Sequence, residues 1–184
     1  MAQPDRIILG IDPGTTIMGF GVLDATGKNP GFIDMGMLDL RKEGDHYQKL
    51  NAIFRSTVKL IENYAPMELA IEAPFYGKNI QSMLKLGRAQ GVAIAAALSM
   101  DLPVFEYAPR KIKLAITGGG QSSKEQVAGM LARMFMIKNM PDNLDATDGL
   151  AVAVCHFYEK GSPQKKSTVK NWEDFVRKNP GRVK

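Results

Sequence analysis

The sequence predicts a single α/β domain built on a mixed five-stranded sheet, and three observations carry that prediction. Three apolar segments near the N-terminus are joined by short turns rich in Gly, Pro and Thr, which suits an antiparallel meander. Two further short apolar segments, around residues 68–73 and 103–107, each follow a longer stretch with helical spacing, which suits crossovers adding parallel strands. With 184 residues, 45% of them hydrophobic, the chain can bury one sizeable core.

The elements follow in order. Residues 6–12 (RIILGID), 17–24 (IMGFGVLD) and 31–40 (GFIDMGMLDL) read as strands, separated by Pro-Gly-Thr-Thr and Ala-Thr-Gly-Lys-Asn-Pro turns. Leu50, Ile53, Phe54, Val58 and Ile61 recur at helical intervals within residues 46–63. ELAIEA at 68–73 is a strand ended by Pro74. Residues 80–99 form a helix crowded with small residues (Gly87, Ala89, Gly91, Ala93, Ala95, Ala96, Ala97), which lets a neighbour come close. PVFEY at 103–107 is the fifth strand, and Pro109 alters the start of a basic helix holding Arg110, Lys111 and Lys113. Ser122 or Ser123 caps a helix running to about Met136, with Glu125 near its start where a carboxylate suits the dipole. Asn143 or Asp142 opens the last helix, from Leu144 to about Tyr158. Gly161, Ser162 and Pro163 then break the pattern, dividing a domain at 1–160 from a basic, flexible tail at 161–184.

Composition excludes several classes. No stretch joins a basic segment to an unbroken apolar one at the N-terminus, and no window supplies a membrane span, so a soluble cytoplasmic protein without membrane contact is expected. The lone Cys155 rules out an internal disulfide and a cysteine-rich zinc site, and reads as a small apolar residue on a buried helix face. Of 24 basic and 19 acidic side chains, seven and two lie beyond residue 160, so the net +5 sits in the tail. There Trp172, Phe175 and Val176 fall at i, i+3 and i+4 among Lys165, Lys166, Lys170, Arg177 and Lys178. Within the neutral body, Lys78, Lys85, Arg88, Arg110, Lys111, Lys113 and Lys124 face only Asp101 and Glu106 across residues 75–124. That basic block reads either as a solvated face or as a nucleic-acid surface.

Four carboxylates need a common explanation. Asp12 ends the first strand, where it could grip a phosphate through its turn, hold a metal, or simply end the strand. Glu72 lies in the apolar run LAIEAPF, where burying it ionised and unpaired is costly, so it needs a partner, a cation or an edge reaching solvent. Asp145 and Asp148 share one helix face at i and i+3. If the first and fourth strands are neighbours, all four acids converge. Oxygen ligands without His or Cys suit Mg²⁺ or Mn²⁺, and two such ions can activate water and stabilise the leaving oxygen of a phosphodiester.

The segments ILGIDPGTTIMGFGV, AIEAPFYGKNIQSMLKLGRAQGVAIAAA, PVFEYAPRKIK, GGGQSSKEQV and LDATDGLAVAVCH, in this order, resemble the RuvC Holliday-junction resolvases over about residues 6–158. The resemblance implies an RNase H-like fold, with a sheet of three antiparallel strands and two parallel additions flanked by helices. It implies that Asp12, Glu72, Asp145 and Asp148 bind two Mg²⁺ per active site, with Mn²⁺ as substitute. Lys113 and Lys124 are then catalytic lysines near the scissile phosphate, and Phe75, followed by Tyr76, stacks on a distorted base. With Lys78, Arg88, Arg110 and Lys111 these form the expected DNA-binding set. Where the family often has Ala after its last acid, Gly149 here should weaken the helix by about 1 kcal/mol and loosen the site.

The implied activity is structure-selective cutting of four-way DNA junctions by paired nicks, leaving 5′-phosphate and 3′-hydroxyl ends, in homologous recombination and repair. Two nicks need a homodimer, for which the helix at 80–100 is the candidate contact, and the implied partners are the RuvA and RuvB branch-migration complex. Asp-Pro-Gly-Thr-Thr also resembles the first phosphate loop of the sugar-kinase, Hsp70 and actin superfamily, whose second phosphate loop is not found here. A junction-binding module that has lost catalysis is the other alternative, against which the four retained acids stand.

Overall fold

The computed structural model describes residues 6–75 and 79–161. Its elements are β1 (Ile7–Asp12), β2 (Ile17–Asp24), β3 (Gly31–Asp39), α1 (His46–Tyr64), β4 (Glu68–Glu72), α2 (Ile80–Leu98), β5 (Val104–Tyr107), α3 (Pro109–Thr117), α4 (Lys124–Phe135) and α5 (Asp145–Gly161). The strand order is β3-β2-β1-β4-β5. β1, β2 and β3 pair antiparallel, β4 runs parallel to β1, and β5 parallel to β4. The mixed sheet expected from the turn and crossover lengths is therefore present. The tail beyond Gly161, with its expected amphipathic helix, lies outside the described residues.

Strand alternation divides the core into two layers. Leu9 and Ile11 of β1, with Leu69 and Ile71 of β4, pack against Ile53 and Ile61 of α1 and Ala89, Ala93 and Ala97 of α2. The intervening positions Ile8 and Ala70 join Ile112 and Ile116 of α3, Val127 and Leu131 of α4, and the run from Leu150 to Cys155 on α5. Period two along each strand thus sends alternate residues to opposite helical layers.

α5 crosses the sheet at close range. A Cβ on Gly10 would lie 2.1 Å from the Gly149 carbonyl oxygen, and one on Gly21 would lie 2.3 Å from the Leu150 Cα. Gly149 itself sits on β2, where a Cβ would stand 2.4 Å from the Phe20 Cα. The expectation that Gly149 loosens the site is therefore corrected: the glycine is what lets the helix seat. The closest small-residue packing also belongs to α5 rather than α2, since α2 buries Ala89, Ala93, Ala96 and Ala97 but leaves Ala95 exposed and Gly87 and Gly91 facing open space.

Local signals explain the helix starts. Asp45 caps α1 and Ser123 caps α4, each in a reciprocal box with the glutamine three residues on. Asn143 accepts from the Asp145 N–H at 2.9 Å and so opens α5 at Asp145, one residue later than the sequence pattern suggests. Pro109 occupies the first turn of α3, where its missing N–H costs nothing. Gly118, at φ +75°, ends α3 in the left-handed conformation that glycine adopts without strain. Cys155 is fully buried, and burial pushes its thiol up to about 12, so it behaves as the apolar residue expected.

Candidate active site

Ile11 of β1 pairs with Ile71 of β4, and Asp12 and Glu72 follow them at the same ends of two adjacent parallel strands. Asp12 also pairs with Gly19 of β2. A Cβ on Gly19 would lie 2.2 Å from the Asp145 carbonyl oxygen, so the absence of a side chain there sets the first turn of α5 directly beside the end of β1. Asp145 and Asp148 occupy that turn, where the helix dipole favours negative charge. One approach of helix to sheet brings all four acids to the same end of the sheet.

Their electrostatics follow from crowding. Asp12 is pushed up to about 7, first by burial and then by Asp148 and Asp145, against the pull of Lys124. Glu72 is pushed up to about 8 by burial, Asp12 and Asp148, opposed by Lys124 and Lys113. Burial also raises Asp148, against its hydrogen bond from Lys124. Lys124 donates to Asp145 Oδ1 at 2.8 Å and to Asp148 Oδ2 at 2.6 Å. Burial disfavours its charge, but these two bonds outweigh burial and its pKa is raised.

The donor chemistry suits a hard divalent cation: carboxylate oxygens only, with Asp12, Glu72 and Asp148 driven towards protonation chiefly by burial and further by one another's charge. Among the described residues, however, no three such side chains stand close enough together to hold one ion, and the Lys124 ammonium spans two of the four. An ion would have to draw the carboxylates in.

The remaining expected residues divide. Lys113 on α3 is near enough to Glu72 and Asp148 to pull both downwards. The helices bearing Lys113 and Lys124 are tied together, because Thr117 donates to the Lys113 carbonyl at 2.8 Å and shares a 2.7 Å hydrogen bond with Ser122. Phe75 is 71% exposed, and with Asp12, Glu72, Gly14 and Leu86 it lines a cleft of about 250 Å³. Arg110 lies against Gly120, and Arg88 is exposed on α2. Lys111 is not brought to the cluster: its ammonium sits 2.8 Å from Glu159 near the other end of α5, over the Tyr107 ring. Tyr76 and Lys78 lie outside the described residues.

Two participants escaped the sequence reading. Leu86 walls the cleft from α2, and Arg41, doubly bonded to Asp39 at 2.9 and 2.7 Å, lies within range of the Asp145 charge. Neither has a local pattern to announce it. Gly19 did have a signal, since Gly10, Gly19 and Gly21 together make a flat strip on one sheet face.

This strand order, with carboxylates gathered at the ends of β1 and β4, is the architecture of the RNase H-like resolvases. The solved structure of Thermus thermophilus RuvC in complex with a Holliday junction substrate superposes with a TM-score of 0.77 at 27% identity, covering 85% of this chain and 96% of that one. The family model described as crossover junction endodeoxyribonuclease RuvC matches residues 8–156. A protein of that name from Bacteroides fragilis is 62% identical over 188 residues, spanning the whole of both chains, and one from Christiangramia forsetii is 59% identical over 99% of this chain and 95% of its own. The chain belongs to the RuvC family of crossover junction endodeoxyribonucleases.

Proposed function

We propose that this protein resolves four-way DNA junctions by paired, metal-dependent nicks that leave 5′-phosphate and 3′-hydroxyl ends, in homologous recombination and repair. The observation that carries the reading is the meeting of Asp12, Glu72, Asp145 and Asp148 at one end of the sheet, with Lys113 and Lys124 beside them. Four carboxylates alone would repel a phosphodiester. Two Mg²⁺ ions, or Mn²⁺ in their place, would supply positive charge, an activated water and a stabilised leaving oxygen. Asp12, Glu72, Asp145 and Asp148 would hold them, and Lys113 and Lys124 would bind phosphate oxygens and stabilise charge that develops on them.

Phe75, exposed beside the cleft, offers its ring to a base unstacked at the branch point. Arg88 and Arg110 extend the basic surface, and Lys78 and Tyr76 join it on the strength of the sequence alone. Paired nicks require a homodimer, and α2 supports one: Ile80, Leu84 and Leu98 are exposed, and Gly87 and Gly91 leave room for a second copy. RuvA and RuvB are the proposed partners, by family membership. No helix of the described residues is long and apolar enough to cross a membrane, and work on chromosomal junctions would put the protein in the cytoplasm. A nucleotide-binding role for the Asp12–Thr16 turn is disfavoured, because the family model that matches residues 8–156 and the full-length relatives are those of crossover junction endodeoxyribonucleases.

The test is a synthetic four-way junction incubated with protein and Mg²⁺. Symmetric nicks in the junction, sparing of a matched linear duplex and loss of cutting in chelator are expected. Cutting that persists in chelator would overturn the metal-dependent reading.

A further inference from the structure

Lys124 occupies two carboxylates at once. Its ammonium stands 2.8 Å from Asp145 and 2.6 Å from Asp148, which lie at i and i+3 on the first turn of α5, so one positive group spans the pair as a divalent ion would. Both acids belong to the proposed metal set, and Lys124 belongs to the proposed phosphate-binding pair. With two of its three N–H donors and most of its charge engaged by the acids, the ammonium in this position has little left for a DNA phosphate. Its backbone is fixed at the start of α4 by the Ser123–Gln126 capping box, while its side chain is half exposed on a flexible four-carbon stem. The anchor is rigid and the charge is free to swing.

We propose that Lys124 is an internal counter-cation, held on Asp145 and Asp148 until a divalent ion takes those carboxylates, and released by that exchange to engage the DNA phosphate. The inference rests on the metal-dependent reading above and supplies its order of events. Metal and lysine compete for the same oxygens, so their coupling is negative and reciprocal: removing the lysine tightens metal binding, and adding metal frees the lysine. A junction bound to the metal-free protein is then not gripped by Lys124, which keeps a phosphate-stabilising group out of a site unable to cut.

The experiment measures Mn²⁺ binding to the full-length chain without DNA, by calorimetry or electron paramagnetic resonance, for wild type, Lys124→Gln, Lys124→Met and Asp145→Asn, each confirmed as folded by circular dichroism. Both lysine variants should bind Mn²⁺ more tightly than wild type, by about 5- to 150-fold, and Asp145→Asn more weakly. Junction binding gives a second readout. In chelator, wild type and Lys124→Gln should bind a four-way junction equally; with Ca²⁺ present, wild type should bind it more tightly. Equal or weaker Mn²⁺ affinity in the lysine variants, with Asp145→Asn still weakened, would overturn the exchange and leave the metal site standing. No Mn²⁺ binding by any of the four proteins would overturn the metal-dependent reading itself, and the exchange with it.

Discussion

Gly149 of α5 and Phe20 of β2 meet backbone to backbone, with room for no side chain between them: a Cβ on Gly149 would stand 2.4 Å from the Phe20 Cα. Gly129, on α4, is a glycine of the opposite kind, with nothing within 4 Å of where its Cβ would be. Gly129→Ala should raise stability by about 1 kcal/mol, because only helix propensity changes. Gly149→Ala should lower it by about 1–3 kcal/mol, less whatever propensity returns, and should cut activity by displacing Asp148. Urea denaturation of both variants, alongside junction cleavage, checks the pair. Equal stabilisation of both would mean that α5 can move off the sheet at no cost.

Asp145→Asn separates binding from cutting. The substitution removes a negative charge from a surface that must accept DNA, so a folded variant should bind the junction at least as well as wild type. Cleavage should fall by about 10²-fold or more, the scale seen when a charge-stabilising group is removed from an active site. Gel-shift and single-turnover assays on one protein preparation measure both quantities. Wild-type cleavage would remove Asp145 from the site.

Stability should depend on pH in a direction set by Asp12 and Glu72. Without metal these groups sit at about 7 and about 8, raised chiefly by burial, whereas in the unfolded chain carboxylates titrate near about 4. The folded protein therefore holds protons that the unfolded chain has lost, and the stability they contribute is present at acid pH and disappears as pH rises through about 7 to 8. Asp12→Asn should melt several degrees higher than wild type in chelator at pH 8, at about 2–4 °C per kcal/mol, and show no such advantage at pH 4. Mg²⁺ or Mn²⁺ should raise the wild-type melting temperature near neutral pH, and the variant should lose most of that increment. Calorimetry at both pH values, with chelator and with metal, decides it. A variant less stable than wild type in chelator at pH 8 would return Asp12 to the role of a strand-ending turn residue.

Phe75→Ala should leave the fold untouched, because the ring is 71% exposed. If it stacks on a base near the branch point, the loss should be about 1–3 kcal/mol in productive junction engagement. Thermal melting and cleavage of junctions with and without unpaired bases at the centre test this together. Unchanged cleavage on both substrates would leave the ring without a DNA role.

The tail can be tested apart from the domain. Seven basic residues lie beyond Lys160. A chain ending at Gly161 should show a shallower dependence of junction affinity on salt, by about 0.9 in the log–log slope for each phosphate that the tail would have neutralised, with cutting positions unchanged. An unchanged slope together with a lower melting temperature would assign the tail to packing instead.

The acids were legible in the sequence because each is locally out of place: Asp12 and Glu72 put a charge at the end of an apolar strand, and Asp145 and Asp148 repeat at one helical interval. The topology followed from turn length and crossover length. What could not be read was which basic residues face the site. Lys111 and Lys113 are two apart on α3, yet one is engaged by Glu159 and the other acts on Glu72, a division that only the seating of α3 on α5 decides. Gly149 was misjudged for the same reason, since its cost to the helix is local and its benefit lies across the sheet at Phe20.

The separation of the acids along the chain has a consequence for synthesis. β1, β2 and β3 are neighbours in sequence as well as in space, so their contacts close short loops and can form early. The proposed metal-binding set draws on Asp12 near one end of the domain and on Asp148 near the other. A chain emerging from the ribosome therefore carries its first carboxylate long before α5 exists to complete the set. If the four acids form the cutting centre as proposed, the growing polypeptide should be unable to cut DNA until that last helix docks, so completion of the fold would also be the step that arms the nuclease.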